Sequence, residues 1–295
     1  MYHHGEFDLD HLCDLKRGRR ISVILPARNE EPTVGRIVAT IRCELVERRP
    51  LVDEILVVDD HSTDATARVA RNAGARVASV DDLLTEEGEG EGKGEAMWKG
   101  LYASTGDLVA YCDADVSNFG SRFLVGLLGP LLERDDVGFV KAYYDRPYAG
   151  QAHEGGRVTE LVARPLLSLL FPALAGIVQP LSGEVAGRRE VLEQVPFVEG
   201  YGVDIGLILE IADRFGAEAI AQVDLGTRIH RNRPLAELAP QAMAVIQTVL
   251  VRAGVETAAD GHWSPLLARP GMLPVPVSVD ERPPLVEVAA YRRSA

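Results

Sequence analysis

The sequence predicts an α/β protein with a mostly parallel central sheet and helices on both faces. Short apolar runs recur at 21–25, 53–60, 75–79 and 107–112, separated by stretches of helical period. That alternation is the pattern of a parallel sheet covered on two sides. Acidic residues follow the runs: Glu30 and Glu31 after the first, Asp59 and Asp60 at the second, Asp113 and Asp115 after the fourth. Ligands of such sheets gather outside the carboxyl ends of the strands, so this edge is the expected site.

Residues 21–25 (ISVIL) form the first predicted strand, and Pro26 opens a polar turn. Between 33 and 46, Val34, Ile37, Val38, Ile41, Leu45 and Val46 share a helical face. A second strand at 53–60 precedes Ser62, Thr63 or Asp64, any of which can cap a helix reaching Gly74. The third strand is 75–79. The glycine-rich acidic stretch 85–95 (TEEGEGEGKGE) reads as a mobile surface loop, apart from Lys93, which directly precedes a helix over 96–104. A lysine beside a helix N-terminus suits a phosphate, because both present positive potential. The fourth strand spans 107–112.

Beyond Tyr144 the alternation weakens. A broken helix is expected over 157–178, a tight turn at 181–186, an amphipathic helix at 203–215, a strand at 218–225 and a helix at 234–253. From His262 a proline-rich tail is expected to have little regular structure and to wrap the body or a partner subunit. The first twenty residues are taken as an extension, disordered around the His3-His4 pair.

Of the 295 residues, 46% are hydrophobic and 25% charged, ordinary for a globular enzyme. A net charge of −13 excludes a general binder of nucleic acid or anionic membranes. An acidic chain that handles anions must gather its arginines locally. Cys13, Cys43 and Cys112 form no CxxC pair and read as reduced thiols; with no apolar signal region at the start, a cytoplasmic protein is expected. Residues 161–181 are long enough to span a membrane, but Arg164 and prolines 165, 172 and 180 favour a buried or dimer-facing broken helix.

The chemistry concentrates in 108–118, LVAYCDADVSN. On an extended chain Asp113 and Asp115 point to one side, where two carboxylates repel unless a cation or donor network lies between them. A DxD in isolation would be a solvated turn; following a buried strand, it becomes a candidate for a hard divalent cation such as Mg2+ or Mn2+.

Four motifs in order, PARNEE (26–31), VVDDHSTD (57–64), GKGEAMWKG (92–100) and DLVAYCDAD (107–115), resemble the nucleotide-sugar-binding half of GT-A fold glycosyltransferases. In the second half, HEGGRVTEL (153–161), PLSGEVAGRRE (180–190), EGYGVDIGLILEIADRFG (199–216) and DLGTRIHRNRPL (224–235) resemble the retaining glucosyl-3-phosphoglycerate synthases and their mannosyl-transferring relatives. The resemblance covers roughly 20–255. It implies a nucleotide-sugar half at 21–145, an acceptor half at 146–255 and a separate tail at 256–295. It also implies hexosyl transfer from a UDP- or GDP-sugar, UDP-glucose favoured, to the 2-hydroxyl of 3-phosphoglycerate.

By the same resemblance Pro26, Ala27, Arg28 and Glu30 line the uridine pocket. Ser62 meets the nucleotide, Lys93 a phosphate, and Asp113 the ribose or the metal shell. Asp115 and His230 are the implied metal ligands. Gly156, Arg157, Thr159 and Asn232 would hold the acceptor, and Arg228 the diphosphate or the acceptor. Leu181 and Ser182 would face the sugar or acceptor, with Asp204 on sugar hydroxyls. Asp59 and Asp60 could instead order loops, Glu31 could serve as a helix N-terminal charge, and Arg231 and Arg233 could be surface charges. Gly202-Val203-Asp204 lacks the acidic pair of inverting relatives, which favours retention. A homodimer is expected. An inverting polyprenyl-phosphate transferase with 161–181 on a membrane, and a non-catalytic sugar-nucleotide sensor, are the competing readings. A dinucleotide oxidoreductase is discarded because no GxGxxG follows the first strand.

Overall fold

The computed structural model describes residues 1–147, 156–229, 234–256, 263–266 and 275–292. In chain order its strands are β1 (Tyr2–His3), β2 (Ile21–Ala27), β3 (Glu54–Asp59), β4 (Arg76–Ser79), β5 (Leu108–Tyr111) and β6 (Phe139–Asp145). They continue with β7 (Val185–Arg188), β8 (Phe197–Val198), β9 (Ile220–Thr227), β10 (Trp263–Leu266), β11 (Val275–Ser278) and β12 (Glu281–Arg282). The main sheet has the order β1-β9-β6-β7-β5-β2-β3-β4. Neighbours are parallel except where β7 runs against β5 and β6. The expected α/β architecture is therefore the observed one.

Alternation along the strands explains the two covered faces. Val23 and Leu25 of β2, Val57 of β3 and Ala110 of β5 pack into one core, with the helices Val34–Ile41 and Arg122–Glu133. Ile24, Leu56, Val58 and Val109 face the other core, against the helices Lys93–Ala103 and Val203–Phe215. β2, β3 and β5 are apolar on both faces, as central parallel strands must be. The boundary expected at 145 falls at the end of β6; β7 and β9, from the acceptor half, complete the same sheet.

Four differences from the sequence expectations have physical causes. Residues 181–186 are no simple turn: β7 starts at Val185 and lies between β5 and β6. Its glycines and Glu184 hide a strand whose acid is buried and paired (below). The helix expected from residue 96 starts at Lys93. There Gly94 packs so closely on β8 that a Cβ would lie 1.9 Å from the Val198 carbonyl oxygen.

The N-terminus is ordered. β1 pairs with β9, Glu6 accepts the His3 amide at 2.6 Å, and Leu12 of the helix Leu9–Lys16 is fully buried. Phe7 packs over Gly129, filling a gap on the sheet-covering helix. A docked apolar pair outweighs the chain entropy that made a free terminus the default.

The tail also gains structure. β12 pairs antiparallel with β8, and Arg282 reaches buried Glu95 at 2.6 Å. Trp98 donates its indole N–H to the Pro283 carbonyl at 2.8 Å. The described residues 281–283 of the tail thus pack on the body. Residues 159–174 form three short helical turns, Thr159–Ala163, Arg164–Leu170 and Pro172–Leu174, broken as the prolines require. Among the described residues no helix is long and apolar enough to cross a membrane.

If the terminus is docked, Phe7→Ala should lower the urea-unfolding free energy by ~3–5 kcal/mol, the usual range for a buried phenylalanine. A loss under ~0.5 kcal/mol would mean that the segment contributes nothing to the fold.

Candidate active site

A cleft of about 520 Å³ opens along the carboxyl edge of β2, β3 and β5. Ala27 ends β2, so the chain turns outward there and presents Arg28 and Glu30 to the opening. The turn is held from β3's side. Ser62 accepts the Asn29 amide at 2.9 Å, and Asn29 accepts from the Thr63 amide at 2.8 Å. Ser62 therefore supports the turn as an acceptor, which leaves its O–H able to donate. Asp60 accepts the Gly92 amide at 3.0 Å, fixing the residue before Lys93; its loop-ordering role is the observed one. Glu31 accepts the Ala65 amide at 3.1 Å, at the start of the helix Thr66–Ala73.

The acidic pair lies where β5 ends, with both side chains on one side. One nitrogen of Arg228, Nη2, lies 2.8 Å from Asp113 Oδ2 and 2.9 Å from Asp115 Oδ1. The Arg228 Nε lies 2.9 Å from Oε1 of Glu184, which is fully buried at the lead into β7. Tyr144 of β6 donates to the other Glu184 oxygen at 2.5 Å, and Arg146 donates to the Tyr144 hydroxyl at 2.8 Å. One guanidinium thus ties three carboxylates from two strand ends, the forked geometry that arginine offers and lysine does not.

Lys93 completes the floor. Its Nζ lies 2.9 Å from Asp113 Oδ1 and 3.0 Å from Asp204 Oδ2, at the N-terminal ends of two helices. Burial lowers the Lys93 ammonium pKa, but Asp113 and Asp204 outweigh it and hold the pKa well above the usual lysine value. Burial pushes Asp113 up, yet Lys93 and Arg228 win and keep it ionised far below the carboxylate range. Glu184 is shifted upward by burial, against the pull of Arg228. Gly183 is the price of this packing: a Cβ there would sit 2.1 Å from Asp113 Oδ2.

Pro26, Ala27, Arg28, Glu30, Lys93, Asp113, Asp115, Gly156, Arg157, Thr159, Leu181, Asp204 and Arg228 all line this cleft. Ser182 does not. It is fully buried and donates its hydroxyl to the Ala142 carbonyl at 2.5 Å, because the chain dives from Leu181 into β7 alongside β6. Its hydroxyl is thus unavailable to a sugar or acceptor, which corrects that expectation. His230 and Asn232 lie outside the described residues, as do Arg231 and Arg233.

Sequence reasoning missed Glu184, Tyr144, Arg146 and Lys141. Glu184 in LSGEVAG and Lys141 in FVKAYY are charges inside apolar runs, and that was the available signal. The local gathering of cations required of an acidic chain is present: Arg28, Lys93, Arg146, Arg157 and Arg228 line one opening.

The donor set fits a divalent cation. Asp115 offers it a hard oxygen, since its Oδ2 has no protein partner among the described residues, whereas both Asp113 oxygens are taken by Lys93 and Arg228. No cluster of three or more metal-ligating side chains occurs among the described residues.

Comparison with known proteins settles the family. Residues 22–195 match the family described as glycosyl transferase family 2. The chain belongs to that family. It is 51% identical over 250 residues to the glucosyl-3-phosphoglycerate synthase of Mycolicibacterium smegmatis, covering 83% of this chain and 82% of that one. A crystal structure of the Mycobacterium tuberculosis glucosyl-3-phosphoglycerate synthase with Mn2+, UDP-glucose and phosphoglyceric acid superposes with TM-score 0.86 at 45% identity, over 95% of each chain. Another structure of that enzyme, with Mg2+ and UDP, gives TM-score 0.86 at 44% identity over 97% of each chain. The GT-A architecture read from the sequence is thus the fold of this family member.

Within this glycosyltransferase, Gly183→Ala should displace Asp113 and lower kcat/KM by ~100-fold, the scale of a 1 Å misplacement, with the far-UV spectrum unchanged. Wild-type kinetics in the variant would mean that the carboxylate has room to move.

Proposed function

We infer that this family member transfers glucose, with retention, from UDP-glucose to the 2-hydroxyl of 3-phosphoglycerate. One observation carries the reading: the Asp113–Asp115 pair, Lys93, Arg228 and the 156–159 segment line a single cleft. A donor diphosphate and an acidic acceptor need that combination of cation site and arginines. The relatives above support the choice of glucose, uridine and phosphoglycerate, since their names and complexes bear those ligands.

Each element then has a task. Arg28 and Glu30 border the uridine. Lys93, at a helix N-terminus, meets a donor phosphate. Asp115 holds the divalent cation, with His230 as its other protein ligand. When bound, that cation offsets the charge growing on the diphosphate. Gly156 turns with φ +79°, which exposes backbone to the acceptor, and Arg157 and Thr159 give it a fork and a hydroxyl. Asn232 completes the acceptor contacts.

Asp204, bonded to Lys93, presents its carboxylate to the sugar hydroxyls. With no acidic pair at 202–204, the bond from the anomeric carbon to the diphosphate oxygen breaks as the acceptor 2-oxygen attacks the same face. The acceptor proton passes to the departing diphosphate, and the Leu181 backbone orients the hydroxyl. Positioning and fixed charge supply the acceleration. A cytoplasmic homodimer completes the proposal; Leu161 and Leu169, each 77% exposed, are apolar enough to favour a second subunit.

The test is a product panel: 3-phosphoglycerate with UDP-glucose, GDP-glucose, UDP-mannose or GDP-mannose, each with and without chelator. The expected result is α-linked glucosyl-3-phosphoglycerate from UDP-glucose, at least ~10-fold faster than from any other donor and abolished by chelation. Donor binding without product under any condition would favour the sensor reading, and a β-linked product would overturn retention.

A further inference from the structure

Lys141 sits in β6 beneath the cleft, with its side chain 1% exposed. Its Nζ donates to the Ser182 carbonyl at 2.7 Å and to the Asp204 backbone carbonyl at 3.4 Å. Its charge lies 3.8 Å from Asp204 Oδ1. The ammonium therefore touches two elements that the transfer needs, the 181–183 turn and the residue facing the sugar, without lining the cleft itself.

Such a residue is a poor structural choice. A buried ammonium loses hydration and regains it only through good partners. Here one acceptor is at ideal distance, one is long, and the carboxylate lies beyond hydrogen-bond reach. The charged groups that act on Lys141 come from four other parts of the chain, while its partner on β9 is the uncharged Gln222. Asp204 starts the helix Val203–Phe215, Lys93 starts the helix Lys93–Ala103, Asp113 follows β5 and Glu184 leads into β7. Burial first, and then the like charge of Lys93, lower the ammonium to about 8, against the attraction of Asp204, Asp113 and Glu184.

We propose that Lys141 is a positioning residue, whose ammonium locks the Leu181–Gly183 turn to Asp204 and so fixes the acceptor hydroxyl against the sugar. This rests on the glucosyl-transfer reading. The sign of the linkage separates it from a structural role. A lysine whose pKa falls from 10.5 unfolded to about 8 folded opposes folding while it is charged in both states. That penalty is fully present below pH 8, shrinks as pH rises through the folded value, and is gone above the unfolded one.

The experiment compares wild type with Lys141→Met, a chain of similar length that lacks the charge. At pH 7 the variant should keep or raise Tm, hold donor and acceptor KM within ~3-fold, and lose at least ~10-fold in kcat. Wild-type kcat/KM, which reports the free protein, should fall on an alkaline limb centred near 8, and that limb should vanish in the variant. An unchanged kcat would overturn the proposal. So would a fall in Tm with a kcat loss that tracks the unfolded fraction, which would make Lys141 structural; Lys141→Gln, which keeps a donor for Ser182, then repeats the measurement. If wild type itself makes no glucosyl-3-phosphoglycerate, the glucosyl-transfer reading fails, and Lys141 is judged by the Tm and donor-affinity comparison alone.

Discussion

Two carboxylates held side by side at the end of a buried strand must be neutralised, and the rest of the site follows from that requirement. Arg228 and Lys93 meet it from the protein side, with Arg228 bridging Asp113 and Asp115 and Lys93 taking the other oxygen of Asp113. Each charge taken from water costs several kcal/mol unless partnered. The partners are therefore drawn from distant parts of the chain: Arg228 follows β9, Lys93 starts a helix, and Glu184 precedes β7. Arg228 and Asp113, which the sequence keeps 115 residues apart, are held together in this cluster.

That arrangement also shapes the sheet. β7 runs against its neighbours, and so delivers Glu184 and Gly183 to the same edge where the parallel strands deliver their acids. Gly183 leaves room for the Asp113 carboxylate, and Glu184 anchors the Arg228 guanidinium from below. Asp115 keeps one oxygen free of protein partners among the described residues, which is what a cation-binding carboxylate needs. The cluster is a structural tie and, in the function proposed above, also the seat of the chemistry.

The parallel half of the fold was legible because its strands are apolar on both faces and its helices obey a 3.6-residue period. Asp113, Asp115 and Lys93 were legible because a charge at the boundary of such an element has few structural reasons to be there. Glu184 and Lys141 were not, because their meaning depends on partners supplied by the fold: Arg228 for one, the Ser182 carbonyl and Asp204 for the other. Ser182 shows the converse: it sits inside a convincing motif, yet its hydroxyl turns toward β6. The ordered terminus escaped notice because two docked side chains, Phe7 and Leu12, outweigh an unremarkable composition.

The central claim is that the oxygens at the end of β5 hold a divalent cation together with the donor diphosphate. Titrating Mn2+ into the protein with UDP, and following free Mn2+ by electron paramagnetic resonance, tests it without recourse to turnover. Wild type should sequester one Mn2+ per chain, and Asp115→Asn should weaken that binding by at least ~100-fold, a change of about 2.7 kcal/mol. Equal Mn2+ affinity in the two proteins would contradict the account.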